Sequence, residues 1–388
     1  MISVTEALEQ LFALTPVLEI EDVPLIQAAG RVLARAQQAT RDQPPFPASA
    51  MDGYAIQKAD GQPGQRLQVV GESAAGHRYD APLQSGQAVR IFTGGVVPEG
   101  ADWVVIQEDV HREGNWITLG DTLEAKSHIR PAGVDFATGT LFKAPRRLTP
   151  QDVALLASMN IPRVPVHRRP KVALISTGDE LVMPGEEPGP DQIIASNTFG
   201  LHAMLQALGA EPRLLPIARD TEAALALAFD LAQDADLIIT IGGASVGDHD
   251  VVARVMAAGE RQFYKVAMRP GKPLMAGRIG ASMMMGLPGN PVSAMVCGHV
   301  FVAPVVHRMM GLPAEPAPRQ TARLAHDIGP GGPREHYMRA TITDGQISPA
   351  QHQDSSLLSV LAQANALMIR PAHDGPRVAG SEIDFLPL

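Results

Sequence analysis

Apolar residues along this chain change period several times, and each change predicts an element. Over residues 2–14, Val4, Leu8, Leu11 and Phe12 recur on one face, which predicts an amphipathic helix. The stretch "TRDQPPFPA" at 40–48 is a proline-rich connection. From 67 to 120 the pattern turns to short runs, "LQVVGES", "AVRIFTGG", "DWVVIQEDV" and "NWITLG", parted by Gly, Pro and Asp, as in a β-rich domain. In "TPQDVALLAS", 149–158, Thr149 reads as a helix cap and Pro150 as the first helical residue. After "RRP" at 168–170 the rhythm becomes strand–helix–strand. "KVALIST", "EPRLLPIA" and "ADLIITIGG" are strands, while "NTFGLHAMLQALG" and "TEAALALAFDLAQD" are helices, the first with Ser196 as candidate cap and Gly209 at its end. "FYKVAM" and the paired runs "KPLMAGRI" and "ASMMMGLPG" precede a long helix from about 291 to 310, and short β runs return from about 313.

This alternation predicts a multidomain α/β chain without internal repeats. An open, mostly parallel α/β sheet domain occupies 169–312 and a β-rich domain 43–139. A linking helical and extended region is formed by 1–42 with 140–168, and a small C-terminal β domain by 313–388.

Composition narrows the possibilities. A chain of 388 residues exceeds one comfortable core, and 45% hydrophobic content supplies several. Thirty-six Gly and 33 Pro against 4% aromatics favour many tight turns over long bundles. The net charge of −9 argues against a general nucleic-acid surface. A single cysteine, Cys297, excludes an intrachain disulfide and a cysteine-rich metal site; inside a predicted helix it reads as core. The start "MISVTEALEQ" lacks the basic lead of a secretory signal, and the apolar stretch 294–306 is shorter than the ~20 residues of a membrane span. The expectation is a cytoplasmic protein with no membrane partner.

Ligands of open α/β sheets sit at the carboxyl ends of strands, and three such loops here carry acids. "STGDE" holds Asp179 and Glu180, "IARD" ends in Asp220, and "GGASVGDHD" holds Asp248 and Asp250. Singly, each acid is as readily a cap of the next helix. Converging on one sheet edge, they suit Mg²⁺, which takes one or two carboxylates and completes its shell with water and phosphate. Gly242, Gly243 and Gly247 let main-chain N–H groups approach an anion, and Ser245 adds a hydroxyl, although the loop matches neither a P-loop nor a dinucleotide fingerprint. Downstream, "RQFYKVAMRPGKPLMAGR" is a local reversal of sign: Lys265 and Arg269 flank a strand and Lys272 lies in a rigid turn. That is either a solvated basic face or an anion site. In "GLPGNPVSA", Pro288 and Pro291 fix the backbone and Asn290 is placed to cap the helix. Asp52, Thr93 and Asp135 stand in turn-like surroundings, and spacing alone assigns them no chemistry. No HExxH pattern occurs.

The ordered set "SAMDGYA", "RIFTGG", "STGDEL", "SNT", "GGASVGDHD", "RPGKP" and "LPGNPVSA" resembles the molybdopterin molybdenumtransferase (MoeA) family, which includes the E domain of gephyrin. The likeness spans residues 49–294, with compatible flanks. It implies insertion of molybdate into adenylylated molybdopterin, with Mg²⁺-dependent release of AMP. It also implies a homodimer whose cleft is shared between the α/β domain of one subunit and the β-rich domain of the other. Adenylylating and molybdoenzyme-maturation proteins would be partners. The family's functional acids fall on Asp52, Asp135, Glu180, Asp220 and Asp250, with Asp220 and Asp250 as metal ligands, and its threonine falls on Thr93. Its ligand contacts fall on Gly242, Gly243, Ser245, Gly247, Lys265, Arg269, Lys272, Pro288, Pro291, Arg339 and Ser355. The chain departs from the family pattern in "FPASAMDGYA", where "FDNSAMDGYA" is frequent, and in Ala244 and Arg269, where Val and Lys are frequent. An adenylyltransferase sharing the α/β module, and a scaffold that has lost catalysis, are the rival readings.

Overall fold

The computed structural model describes residues 1–242 and 260–388. Contacts divide the chain into two units: Asp22–Ala29 with Arg35–Pro165, and Met1–Glu21 with Gly30–Ala34 and Val166–Leu388.

In the first unit a six-stranded sheet runs in the order Trp103–Ile106, Gly53–Ile56, Gln87–Ile91, Arg66–Ser73, Trp116–Leu119, Val110–Glu113. Alternation along its strands sends Tyr54, Ile56, Leu67 and Ile117 to one core and Ala55, Val89, Ile91 and Val104 to another. The helix Pro150–Ser158 starts as its sequence dictates. Thr149 Oγ1 accepts from Asp152 N at 3.2 Å, and the Asp152 carboxylate accepts from Thr149 N at 2.9 Å.

The second unit is built on a sheet ordered Glu211–Leu214, Lys171–Ser176, Leu237–Ile241, Ser282–Leu287, Pro273–Ile279, Glu260–Lys265. Its first four strands are parallel; the last two add antiparallel pairings at one edge. The central strands are near-continuous apolar runs because both faces are covered. On one face, Val172, Leu174, Leu237 and Ile239 pack with Val4, Leu8 and Leu11 of the helix Val4–Leu14, Leu201 and Leu205 of Asn197–Leu208, and Val300 and Val305 of the long helix. On the other, Ala173, Ile175, Ile238 and Met284 meet Leu225, Ala228 and Phe229 of the helix Glu222–Leu231. Each fully buried Leu or Ile contributes about 2 kcal/mol relative to exposure.

The long helix runs from Pro291 to Met309 and is 78% buried, a core helix despite a length and apolarity that would suit a membrane. Its middle turn, Gly298–Val302, is π-helical, just before Pro304, whose missing N–H interrupts the regular ladder. A Cβ at Gly298 would come within 2.7 Å of Met204 Cε, so glycine is what lets this helix lie close to Asn197–Leu208.

The C-terminal strands close on themselves. Glu335–Thr343, Gln346–Pro349, Gln320–Leu324, Glu382–Pro387 and Ala366–Arg370 pair in that order, and Ala366–Arg370 returns to pair with Glu335–Thr343. The expected small β domain is thus barrel-like, with Leu324, Ala340, Ile347, Met368 and Phe385 in its core.

Candidate functional site

At the carboxyl ends of the parallel strands lies a cavity of about 680 Å³. Its lining includes Ser176 at the end of the strand Lys171–Ser176, Thr177, Gly178 and Glu180 just beyond it, Asp220, and Ile241 with Gly242. The Pro288–Pro291 turn and Ser356 complete it from the other side. The strand-end loops named from sequence therefore do converge, in the described residues, on one space.

Gly242 has φ +95°, and a Cβ there would stand 2.6 Å from Thr177 O, so only glycine fits. Glu180 folds back over Gly178: a Cβ at 178 would lie 2.4 Å from the Glu180 carboxylate. The Asp179 carboxylate accepts from Asp220 N at 3.3 Å, and Arg219 Nη1 donates to Asp179 O at 2.7 Å, tying two acid loops together. Gly243, Ser245, Gly247 and Asp250 lie outside the described residues.

Pro291 opens the long helix, but Asn290 does not cap it as expected. Asn290 has the extended backbone of an N-cap, yet its side chain makes no cap bond and instead donates to Ser355 Oγ at 3.0 Å. Val292 N donates to Ser355 O at 3.1 Å, so residues 352–356 are laced to the helix start. Ser196, likewise, precedes its helix without a side-chain cap bond. Asn197 donates to Gly289 O at 2.6 Å, joining the two helix starts that border the cavity.

Behind the 352–356 loop sits Arg339, fully buried. Nη2 donates to His352 O at 3.0 Å and to Asp354 O at 2.9 Å, whereas Nε and Nη1 have no partner. Burial pulls its pKa below the usual arginine value, with the carboxylate of Asp354 opposing that pull. A buried guanidinium with two unpaired donors and no bonded carboxylate is costly unless an anion reaches it.

The remaining basic positions are separate from the lining. Lys265 sits at the end of an edge strand, with Nζ 5.3 Å from the Tyr264 ring centroid. Arg269 is exposed and pairs in register with His336, and Lys272 is exposed in the turn that follows. His336 is held neutral: burial, then Arg269 and its neighbours, push its pKa down to about 4. Cys297 is wholly buried and burial raises its thiol to about 12, which removes it as a nucleophile.

In the β-rich unit Asp52 and Thr93 are in direct contact. Asp52 Oδ1 accepts from Thr93 N at 2.7 Å and from Thr93 Oγ1 at 2.8 Å, and these bonds hold the carboxyl below its ordinary range. Asp135 is exposed on another turn, its N–H bonded to Gln43 O at 3.0 Å. Sequence reasoning singled out neither Thr177, Asn197 nor Ser356, although the first two lie inside the "STGDEL" and "SNT" motifs.

Comparison with known proteins shows the family. Residues 2–160 match the model for the MoeA N-terminal region (domain I and II), 173–308 the probable molybdopterin binding domain, and 321–388 the MoeA C-terminal region (domain IV). The chain is thus of the MoeA class along nearly its whole length. It is 36% identical to a molybdopterin molybdenumtransferase of Nostoc sp., covering 100% of this chain and 94% of the relative. It is 35% identical to one of Haemophilus influenzae, covering 95% and 94%. A crystal structure of a molybdopterin biosynthesis MoeA protein from Pyrococcus horikoshii superposes with TM-score 0.84 at 30% identity, covering 100% and 99%. The chain belongs to the molybdopterin molybdenumtransferase family, a family of enzymes.

Proposed function

We propose that this enzyme inserts molybdate into adenylylated molybdopterin and releases AMP, in a Mg²⁺-dependent reaction. The observation that carries the reading is Arg339: a fully buried guanidinium with two unpaired donors, beside a loop that lines the cavity, wants an oxyanion. Molybdate is a dianion of that kind, and Lys265, Arg269 and Lys272 supply further positive charge in the same unit. Ser355, bonded to Asn290, offers a hydroxyl to the same ligand.

A strand-end cavity carrying Asp220 fits Mg²⁺, which asks for only one or two carboxylates. Water and substrate phosphate would complete such a shell. Asp220, together with Asp250, would hold the ion. When bound it supplies neutralisation of phosphate charge and polarisation of the phosphoryl centre. Gly242, whose own N–H is bonded to Leu287 O, leaves room for the phosphate linkage, Gly243, Ser245 and Gly247 cradle it, and Pro288 and Pro291 shape the opposite wall.

Replacing molybdate oxygens with pterin sulfurs expels water, so protons must reach the departing oxygens. Glu180, exposed at the cavity, moves them. Asp52, Thr93 and Asp135 act on the cavity of a partner subunit in a cytoplasmic homodimer. The segment 169–312 is the molybdopterin-binding domain, with 43–139 and 313–388 as its β-rich companions. Incubating the protein with adenylylated molybdopterin, molybdate and Mg²⁺ tests the whole reading. The expected result is AMP and molybdenum-loaded pterin in equal amounts; neither product forming would overturn it.

A further inference from the structure

The strands Lys171–Ser176 and Leu237–Ile241 are sheet neighbours, but the chain passes from the first to Glu211–Leu214 on its far side before returning to the second. The crevice between their carboxyl ends is therefore where the sheet order reverses, the place at which open α/β sheets take ligands. Thr177 is the first residue beyond one of these strands, and Gly242 the first beyond the other.

The main-chain donors here are already used. Thr177 N donates to Ile241 O at 3.0 Å, Gly178 N to Ala218 O at 3.2 Å, and Gly242 N to Leu287 O at 3.1 Å. The Thr177 hydroxyl is different. The residue lines the cavity and is 95% buried, yet its Oγ1 has no hydrogen-bond partner. A Cβ at Gly242 would lie 3.0 Å from that oxygen, so glycine keeps the adjoining space open. Valine would fill the same volume, and a buried hydroxyl without an acceptor only burdens the ligand-free chain. The lining carries the acids Glu180 and Asp220 and, among the described residues, no Lys or Arg. A phosphoryl group entering this crevice must be met by neutral donors as well as by a cation.

We propose that Thr177 is a ligand-binding residue whose hydroxyl donates a hydrogen bond to a phosphoryl oxygen of the nucleotide part of the substrate. This rests on the reading that the substrate is adenylylated. Thr240 provides an internal control. It is fully buried one step down the neighbouring strand, its hydroxyl equally unpartnered, and it does not line the cavity.

Calorimetric titration of the full chain with AMP, and separately with adenosine, in Mg²⁺ buffer tests the assignment. Thr177→Val should weaken AMP binding about tenfold, leave adenosine binding as it was, and raise Tm. Thr177→Ser should restore AMP affinity, and Thr240→Val should raise Tm alone. Equal AMP affinity in wild type and Thr177→Val would overturn the inference and leave the proposed reaction standing. So would an equal loss with adenosine, or a lowered Tm showing that the hydroxyl is already bonded. No AMP binding by the wild-type chain would overturn both.

Discussion

Asp52 and Thr93 are joined twice through a single oxygen: Asp52 Oδ1 accepts the Thr93 main-chain N–H at 2.7 Å and its hydroxyl at 2.8 Å. Forty-one residues apart, they form one unit, because Gly53 and Ile91 are register partners in the sheet. Both bonds favour the charged carboxylate, which is why its pKa is lowered. Protonation at acid pH weakens them. Thr93→Val keeps the volume and removes one of the two, so the Asp52 titration should move up in a carboxyl-detected NMR titration. The acid limb of the pH–activity profile should move up with it; an unmoved titration would show that the hydroxyl bond is absent in solution.

If Asp52 serves a partner's cavity while Glu180 serves its own, two defective chains complement each other. Asp52→Asn and Glu180→Ala homodimers are each expected to be impaired. After subunit exchange, a mixed dimer should regain one working site, giving about half of wild-type turnover per heterodimer. Activity no higher than in the parents would place both acids in the same subunit's site.

Arg339 offers a planar fork that lysine cannot reproduce. Arg339→Lys is expected to raise the molybdate concentration needed for half-maximal insertion by at least about tenfold, ~1.4 kcal/mol. Release of AMP at saturating molybdate should suffer less. An unchanged molybdate dependence would detach this arginine from the oxyanion.

In the C-terminal barrel Asp374 is 8% exposed and lies between Arg370 and Arg377, with Arg377 Nη2 at 2.9 Å. Burial alone would raise its pKa; the hydrogen bonds from Arg377 and Arg370 outweigh that and lower it. Its contribution to stability is therefore full above the ordinary carboxylate range and is lost as pH falls through the lowered value. Asp374→Asn strands the buried Arg370 and should cost about 3 kcal/mol at neutral pH. Urea unfolding at pH 7 and at pH 3 should show that cost shrinking in acid; a constant difference would mean the pair does not titrate with folding.

The sequence disclosed the elements whose causes are local. "KVALIS" and "LIITI" read as buried strands because both sheet faces are covered, and Thr149 with Pro150 began a helix where capping chemistry puts one. The convergence of two acid-bearing loops, those of Glu180 and Asp220, was also legible, since parallel strands deliver their carboxyl ends to one edge, whereas the acids of the third loop, Asp248 and Asp250, lie outside the described residues. What escaped depends on distant partners. In "EHYMRATIT" the alternation gives no sign that Arg339 is buried, because the carbonyls that bond it come from His352 and Asp354. Asn290 was read as a helix cap from its neighbours, and its actual partner, Ser355, is sixty-five residues away. Thr177 lay within a recognised motif, but an unpaired hydroxyl is a property of surroundings and no pattern of residue types encodes it.

The helix Val4–Leu14 buries Val4, Leu8 and Leu11 in the same core as strands and helices that begin at Lys171. Its oily stripe therefore has no cover until the chain from Lys171 onward, far beyond it in sequence, is in place. A truncated clone beginning at the α/β sheet would come out with a bare groove and a tendency to precipitate.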